Sequence, residues 1–180
     1  MASSLEKLEQ SHHVEIKWRS FELRPKDAPP ISEAYRAKIL ANRPRVYAVA
    51  REQYGLDMNP GPFGFDSRPA LIGAKYAERH DVGPTYHAAV MNAYWRDGRD
   101  IEQVDALASV ATDSGLDADE FRSALENDAY REAVLADIAQ AHEYGIQGVP
   151  GMIFNDKYYL SGAQPYDLLV EAVEKITEEG

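Results

Sequence analysis

Cysteine is absent from this sequence of 180 residues. No side-chain thiolate is available for disulfide exchange, and no other residue replaces that nucleophile. A chain without cysteine suits a reducing compartment, and a cytoplasmic location is the expectation. No apolar run reaches the ~18 residues a membrane-spanning helix needs, so no membrane partner is expected. The opening residues Met1-Ala2-Ser3-Ser4-Leu5-Glu6-Lys7 lack the apolar core of a secretory signal. Basic residues are few: 19 Lys and Arg stand against 30 Asp and Glu, a formal net charge of −11. Phosphate binding needs a basic face, which argues against nucleic acid as a partner. The five histidines are His12, His13, His80, His87 and His142. None has the His-x-x-x-His or His-carboxylate spacing of a zinc site, and Gly83-Pro84 separates His80 from His87. No metal and no cofactor are expected. Internal repeats and low-complexity segments are also lacking.

What is present is enough apolar residue for a sizeable core, 44% of the chain. The length suits one domain, or one domain with a large insertion. Residues 2–10 read as a short helix with Leu5 and Leu8 on one side. Val14, Ile16 and Trp18 alternate with Glu15, Lys17 and Arg19, a period of two that predicts a half-buried strand over 14–21. Helical patterns follow for about a hundred residues. Ser32-Glu33 opens the first, and Pro44 to Tyr54 reads as a second, closed by Gly55. Residues 55–65, with three glycines and two prolines, read as a loop. Asp66 or Ser67 caps the next helix, and Pro84 opens another. Ile101, Val104, Leu107, Ala108 and Ala111 form a helical stripe stopped by Gly115. Asp117 as cap, Glu120 three residues on and Leu116 against Phe121 mark a further helix start. Tyr130, Val134, Ile138 and Ala141 mark the last long helix of the run, ending at Gly145. Strands over 151–155 and 157–161, turning at Asn155-Asp156, precede a final helix from Pro165.

The most informative string is Gly148-Val149-Pro150-Gly151-Met152-Ile153-Phe154, followed by Tyr159-Leu160-Ser161-Gly162-Ala163-Gln164-Pro165. A proline cannot donate to a sheet ladder and belongs at a strand's entrance, an edge or a bulge. In that position the Val149–Pro150 bond is a candidate cis peptide. The whole string resembles the cis-proline loop of the thioredoxin superfamily, and within it the DsbA family and its FrnE-like branch. Trp18-Arg19-Ser20-Phe21-Glu22-Leu23, Asp66-Ser67-Arg68-Pro69-Ala70, Gly98-Arg99-Asp100-Ile101 and Gly115-Leu116-Asp117 extend the resemblance from about Val14 to Ile176. The resemblance implies an α/β, thioredoxin-like fold. Residues 1–23 and 146–180 would form the two parts of that domain, and 24–145 an all-helical insertion.

The family pattern begins with a strand, then Cys-Pro-x-Cys, then a helix. Met1 falls a few residues past the position of the second cysteine, so the first, central strand and the redox motif are expected to be missing. Its loss would leave the strands at 14–21 and 151–155 without their shared neighbour. Three remedies are open: a true start upstream, direct pairing of the two strands, or a homodimer through the open sheet edge. By resemblance the partners are protein or peptide thiols and disulfides, and the family reaction is thiol–disulfide exchange. This chain, with no catalytic residue for it, is expected to be inactive in that reaction. The resemblance assigns substrate binding to Gly148, Val149 and Pro150, with the backbone of Val149 pairing with a bound peptide or thiol. Two alternatives remain. One is a non-enzymatic peptide- or protein-binding module using that groove. The other is a relative of the glutathione-dependent isomerases of kappa type, which use a serine at the first cysteine's position; Ser3 and Ser4 lie too late in the helix to serve. Tyr86, Tyr94, Trp95, Phe63 and Phe65 either line a cleft or pack a core.

Overall fold

The computed structural model describes residues 2–25 and 27–179; Met1, Lys26 and Gly180 lie outside. The chain divides into two compact units, one of Met1–Leu23 with Asp137–Gly180 and one of Arg24–Ala136. Among the described residues no helix is long and apolar enough to cross a membrane.

The first unit opens with α1 (Ala2–His12), whose Leu5 and Leu8 are buried. They meet Leu169 and Val173 of α8 (Tyr166–Glu179). Between these helices and the sheet lie Val14, Ile16, Met152, Phe154 and Leu160, partly buried against the same cluster. The sheet is a hairpin of β1 (Gly151–Phe154) and β2 (Tyr158–Ser161), antiparallel with Gly151 opposite Ser161 and Phe154 opposite Tyr158. Asn155 and Asp156 both take positive φ, 49° and 53°, and the Lys157 N–H donates to the Phe154 carbonyl at 3.0 Å. That is the turn of primed type which matches strand twist, and Asn and Asp tolerate it.

Two expectations are corrected here. Residues 14–21 form no strand: the backbone is extended, but the β1–β2 hairpin is the only sheet among the described residues. The alternation is real for burial, since Val14 and Ile16 are half-buried while Glu15 and Lys17 are exposed. A period of two reports which face is covered; a strand also needs a neighbour to complete its ladder. Trp18 is 38% exposed and not a core residue. The direct pairing of 14–21 with 151–155 is therefore not adopted. The second correction concerns Pro44, which lies inside one continuous helix, α2 (Glu33–Tyr54), rather than between two. Its missing N–H forfeits one ladder bond, a cost of about 3 kcal/mol in a helix interior. Both ends of α2 are well terminated: the Tyr35 N–H donates to Ser32 Oγ at 3.3 Å, and Gly55 takes φ 63°.

The second unit packs α3 (Arg68–Arg79), α4 (Gly83–Trp95), α5 (Val104–Asp113), α6 (Ala118–Leu125) and the first half of α7 (Asp128–Glu143). The start signals act as the residue types predict. Asp66 Oδ1 accepts from the Arg68 N–H at 2.9 Å, and Asp117 Oδ1 accepts from Asp119 and Glu120, each at 2.9 Å. The aromatic residues mostly build the core. Phe121 is fully buried, with ring centroids 6.0 Å from Tyr76 and 5.6 Å from Tyr86. Tyr94 packs on Phe65 at 4.6 Å, while Trp95 stays 39% exposed. Gly73 is needed at its place, because a Cβ there would meet Tyr86 Oη at 2.4 Å and Phe121 Cζ at 2.6 Å.

Tyr86 Oη is buried with no hydrogen-bond partner among the described residues, and burial raises its phenol pKa. A buried hydroxyl without a partner carries a desolvation penalty of about 1–3 kcal/mol. Tyr86→Phe is therefore expected to leave stability unchanged or raise it, measured by thermal unfolding. A clear loss of stability would mean that the hydroxyl is bonded in solution.

Candidate functional site

The helix α7 ends in a cap that sets the course of the loop leading to β1. Gly145 takes φ 70°, and the Ile146 N–H reaches back to the Ala141 carbonyl at 2.9 Å. Glycine tolerates this left-handed turn without the Cβ penalty. The chain then runs through Gln147, Gly148 and Val149 to a cis Val149–Pro150 peptide. The Pro150 carbonyl accepts from the Gly162 N–H at 2.8 Å, which closes the open end of the hairpin. Gln164 Nε2 donates to the Ser161 carbonyl at 2.6 Å on the same side.

These segments line an open cleft of about 360 Å³, formed by Gly145, Gln147, Gly148, Val149, Pro150, Tyr159, Ser161 and Gly162. Val149 is 56% exposed, and neither of its backbone groups has a hydrogen bond among the described residues. The Tyr159 ring crosses Gly151 so closely that a Cβ there would lie 3.1 Å from its Cε2. The ring is 44% exposed and forms the cleft's aromatic wall.

Gly148, Val149 and Pro150 are thus brought together on one cleft. Tyr159, Ser161 and Gly162 complete it; they belong to the string that carries the resemblance, but sequence reasoning gives them no role in binding. A signal for them exists. Once the turn at Asn155-Asp156 sets the register, Gly151 faces Ser161, and Tyr159 and Ser161 share the exposed face of β2. None of the cleft's lining residues is a histidine; in the same unit, His12 Nε2 lies 3.9 Å from Glu174 Oε1, and His142 stands edge-on to Phe21. Among the described residues no three His, Asp or Glu side chains gather as a ligand set for a metal. The side chain of Ser3 lies outside the described residues.

The cap, the cis-proline loop, the hairpin and α8 follow one another in the order expected of the resemblance, and the family pattern matches residues 1–174. The chain belongs to the DSBA-like thioredoxin domain family. It is 28% identical over 169 residues to the uncharacterized protein YwbO of Bacillus subtilis, covering 89% of this chain and 81% of that one. Its structure is similar to a probable DsbA oxidoreductase from Streptomyces coelicolor, with TM-score 0.81 and 26% identity over 99% of this chain and 84% of the other. It shares its fold with a 2-hydroxychromene-2-carboxylate isomerase, with TM-score 0.77 and 24% identity over 97% of this chain and 87% of that one. The DsbA-like fold with a helical insertion is therefore that of this chain. Thiol–disulfide exchange is the reaction of the family, and this sequence carries no cysteine with which to perform it.

Proposed function

We propose that this chain binds an extended segment of a protein or peptide in the Val149–Pro150 cleft, and that its own residues carry out no thiol–disulfide exchange. The observation that carries the reading is Val149, an exposed residue whose backbone has no hydrogen bond among the described residues, on a cleft that also carries the Tyr159 ring. An extended peptide supplies backbone donors and acceptors to such a group, as strands do when they add to an edge. Gly148 and Gly162 leave the approach open on both sides, since neither has a side chain. Among the described residues no side chain is hydrogen-bonded to Ser161 Oγ as a base, so this hydroxyl supports binding and no nucleophilic step.

The string Gly148 to Pro165 supports placement in the FrnE-like branch. A chain without cysteine fits a reducing, cytoplasmic setting. The edge of β1 away from β2 is the surface on which a second copy would pair, if the protein dimerises through its sheet.

The reading is tested with an unfolded, cysteine-free peptide titrated into the protein and followed by calorimetry. Saturable binding in the micromolar range is expected. Tyr159→Ala is expected to weaken it by about tenfold, the equivalent of ~1.4 kcal/mol, because it removes the aromatic wall. No binding at high micromolar peptide would overturn the proposal, as would reduction of a disulfide substrate above a no-protein control. A rise in melting temperature with glutathione, and none with peptide, would move the chain toward the glutathione-using isomerases instead.

A further inference from the structure

The helix α2 stands apart within its unit. Most of its surface is exposed, and among the described residues no other helix or strand packs extensively along it. It has 22 residues, so it is about 33 Å long. Tyr35, Ile39, Asn42, Val46 and Val49 follow one another along it in steps of four and three residues. That alternation is the spacing of a coiled-coil seam. Tyr35 is 54% exposed, Val46 52% and Val49 39%; Asn42 is exposed and Ile39 half-buried. Asn42 is the single polar residue of the five. One polar side chain in such a seam lowers stability and selects the register in which a partner helix docks. Pro44 falls on the opposite side of the helix and leaves the seam unbroken.

The charges beside the seam are mostly of one sign. Arg36 and Arg43 flank it on one side, and Lys38, Arg45 and Glu52 on the other. The whole helix holds five basic residues (Arg36, Lys38, Arg43, Arg45, Arg51) and two acidic ones (Glu33, Glu52), a net +3 in a chain of net −11. The guanidinium groups of Arg36 and Arg43 lie 6.0 and 5.6 Å from the centre of the Phe63 ring, which anchors them beside the seam. A coiled-coil partner is selected by the charges flanking its core positions.

We propose that α2 is a docking helix for an acidic amphipathic helix of another protein. The partner's apolar residues enter the seam between Tyr35 and Val49, a polar side chain meets Asn42, and carboxylates face Arg36, Lys38, Arg43 and Arg45. Two copies of α2 do not satisfy each other, because each brings the same positive flanks. A bilayer surface needs a broad continuous apolar face, whereas the seam of α2 is interrupted by Asn42 and has cations on both sides, and its other large exposed apolar residue, Leu40, falls away from the seam.

The test uses the full chain and two labelled three-heptad peptides, each with Leu at the seam positions and one Asn placed to meet Asn42. One carries Glu at the flanking positions and the other Lys. Fluorescence anisotropy is expected to show the acidic peptide binding at least about tenfold more tightly than the basic one, with the difference shrinking at high salt. Val46→Glu is expected to cost at least about tenfold in that affinity with an unchanged circular dichroism spectrum, since the residue is exposed. Lys38→Glu with Arg45→Glu is expected to reverse the preference toward the basic peptide. Equal binding of both peptides, or an unaffected Val46→Glu variant, would overturn the proposal. So would a dimer that dissociates on Val46→Glu, or binding to phosphatidylserine vesicles that the same substitution abolishes.

Discussion

Phe121→Ala is expected to lower the melting temperature by roughly 6–20 °C, from a loss of about 3–5 kcal/mol. Phe121 is fully buried and stands where three helices meet: it extends from α6 toward Gly73 and Tyr76 of α3 and Tyr86 of α4. Gly73 shows how tight the joint is, because the backbone of α3 approaches so closely that not even a methyl group fits. Removing the ring leaves a cavity that the helices cannot close without moving, and the cost combines lost transfer energy with that cavity. A domain's whole stability is only about 5–15 kcal/mol, so this one ring supports a large share of the helical unit. Calorimetry of Phe121→Ala beside Phe121→Leu separates volume from aromatic contact. A fall of less than about 2 °C for the alanine variant would show that the joint relaxes freely, contrary to the packing seen at Gly73.

The second large effect is expected in the other unit, at Asp137. This carboxylate is nearly inaccessible, at 6% exposed. Its Oδ2 accepts from the Ser20 backbone N–H at 2.8 Å, and its Oδ1 accepts from Arg19 Nη1 at 3.3 Å. The two contacts do not contribute equally. The Arg19 side chain is 58% exposed, and an ion pair with so exposed a partner is worth roughly 0–1 kcal/mol. Ser20 is 4% exposed, and its buried N–H has Asp137 as its acceptor. Leaving such a donor unpaired costs about 1–3 kcal/mol. Asp137→Ala is therefore expected to destabilise the unit clearly, Arg19→Ala hardly at all, and Asp137→Asn to fall between them because its amide oxygen still accepts from Ser20. Hydrogen exchange at residues 14–20 gives the local readout, with faster exchange expected in Asp137→Ala. Equal losses for Arg19→Ala and Asp137→Ala would mean that the ion pair, not the backbone bond, holds the segment.

That pair of contacts also explains why periodicity misreads one part of the fold. The alternation of Val14, Ile16 and Trp18 is the signature of a half-buried strand, yet the segment is held by a carboxylate 117 residues away and by the Leu5–Leu8–Leu169–Val173 cluster, without a ladder. Periodicity records burial, and burial has several causes. Pro44 misleads for a related reason. A proline weakens a helix locally, but α2 has a bonded cap at Ser32 and a left-handed stop at Gly55, and the helix continues between them.

Local chemistry, by contrast, can be read directly. Asp117 accepts two backbone N–H groups, Asn155 and Asp156 turn the hairpin through positive φ, and Gly145 ends α7, each because only a few residue types meet those demands. Gly148, Val149 and Pro150 stand out because proline at a strand entrance is rare and informative. The partners of that loop lie in the same informative string, but their place on the cleft is not legible there, since Tyr159 and Ser161 acquire it only through strand register.

Sequence alone thus settles where most helices start and stop, where the hairpin turns, that the chain has the family's ordered set of motifs, and that it has no thiol to use. These depend on one residue and its near neighbours, or on composition. Tertiary structure decides that residues 14–21 remain outside a sheet, that Asp137 rather than a strand partner satisfies Ser20, that Phe121 joins three helices against Gly73, and that α2 keeps a largely apolar seam uncovered. Each of these depends on which distant group comes within reach, and that is set by how whole elements pack.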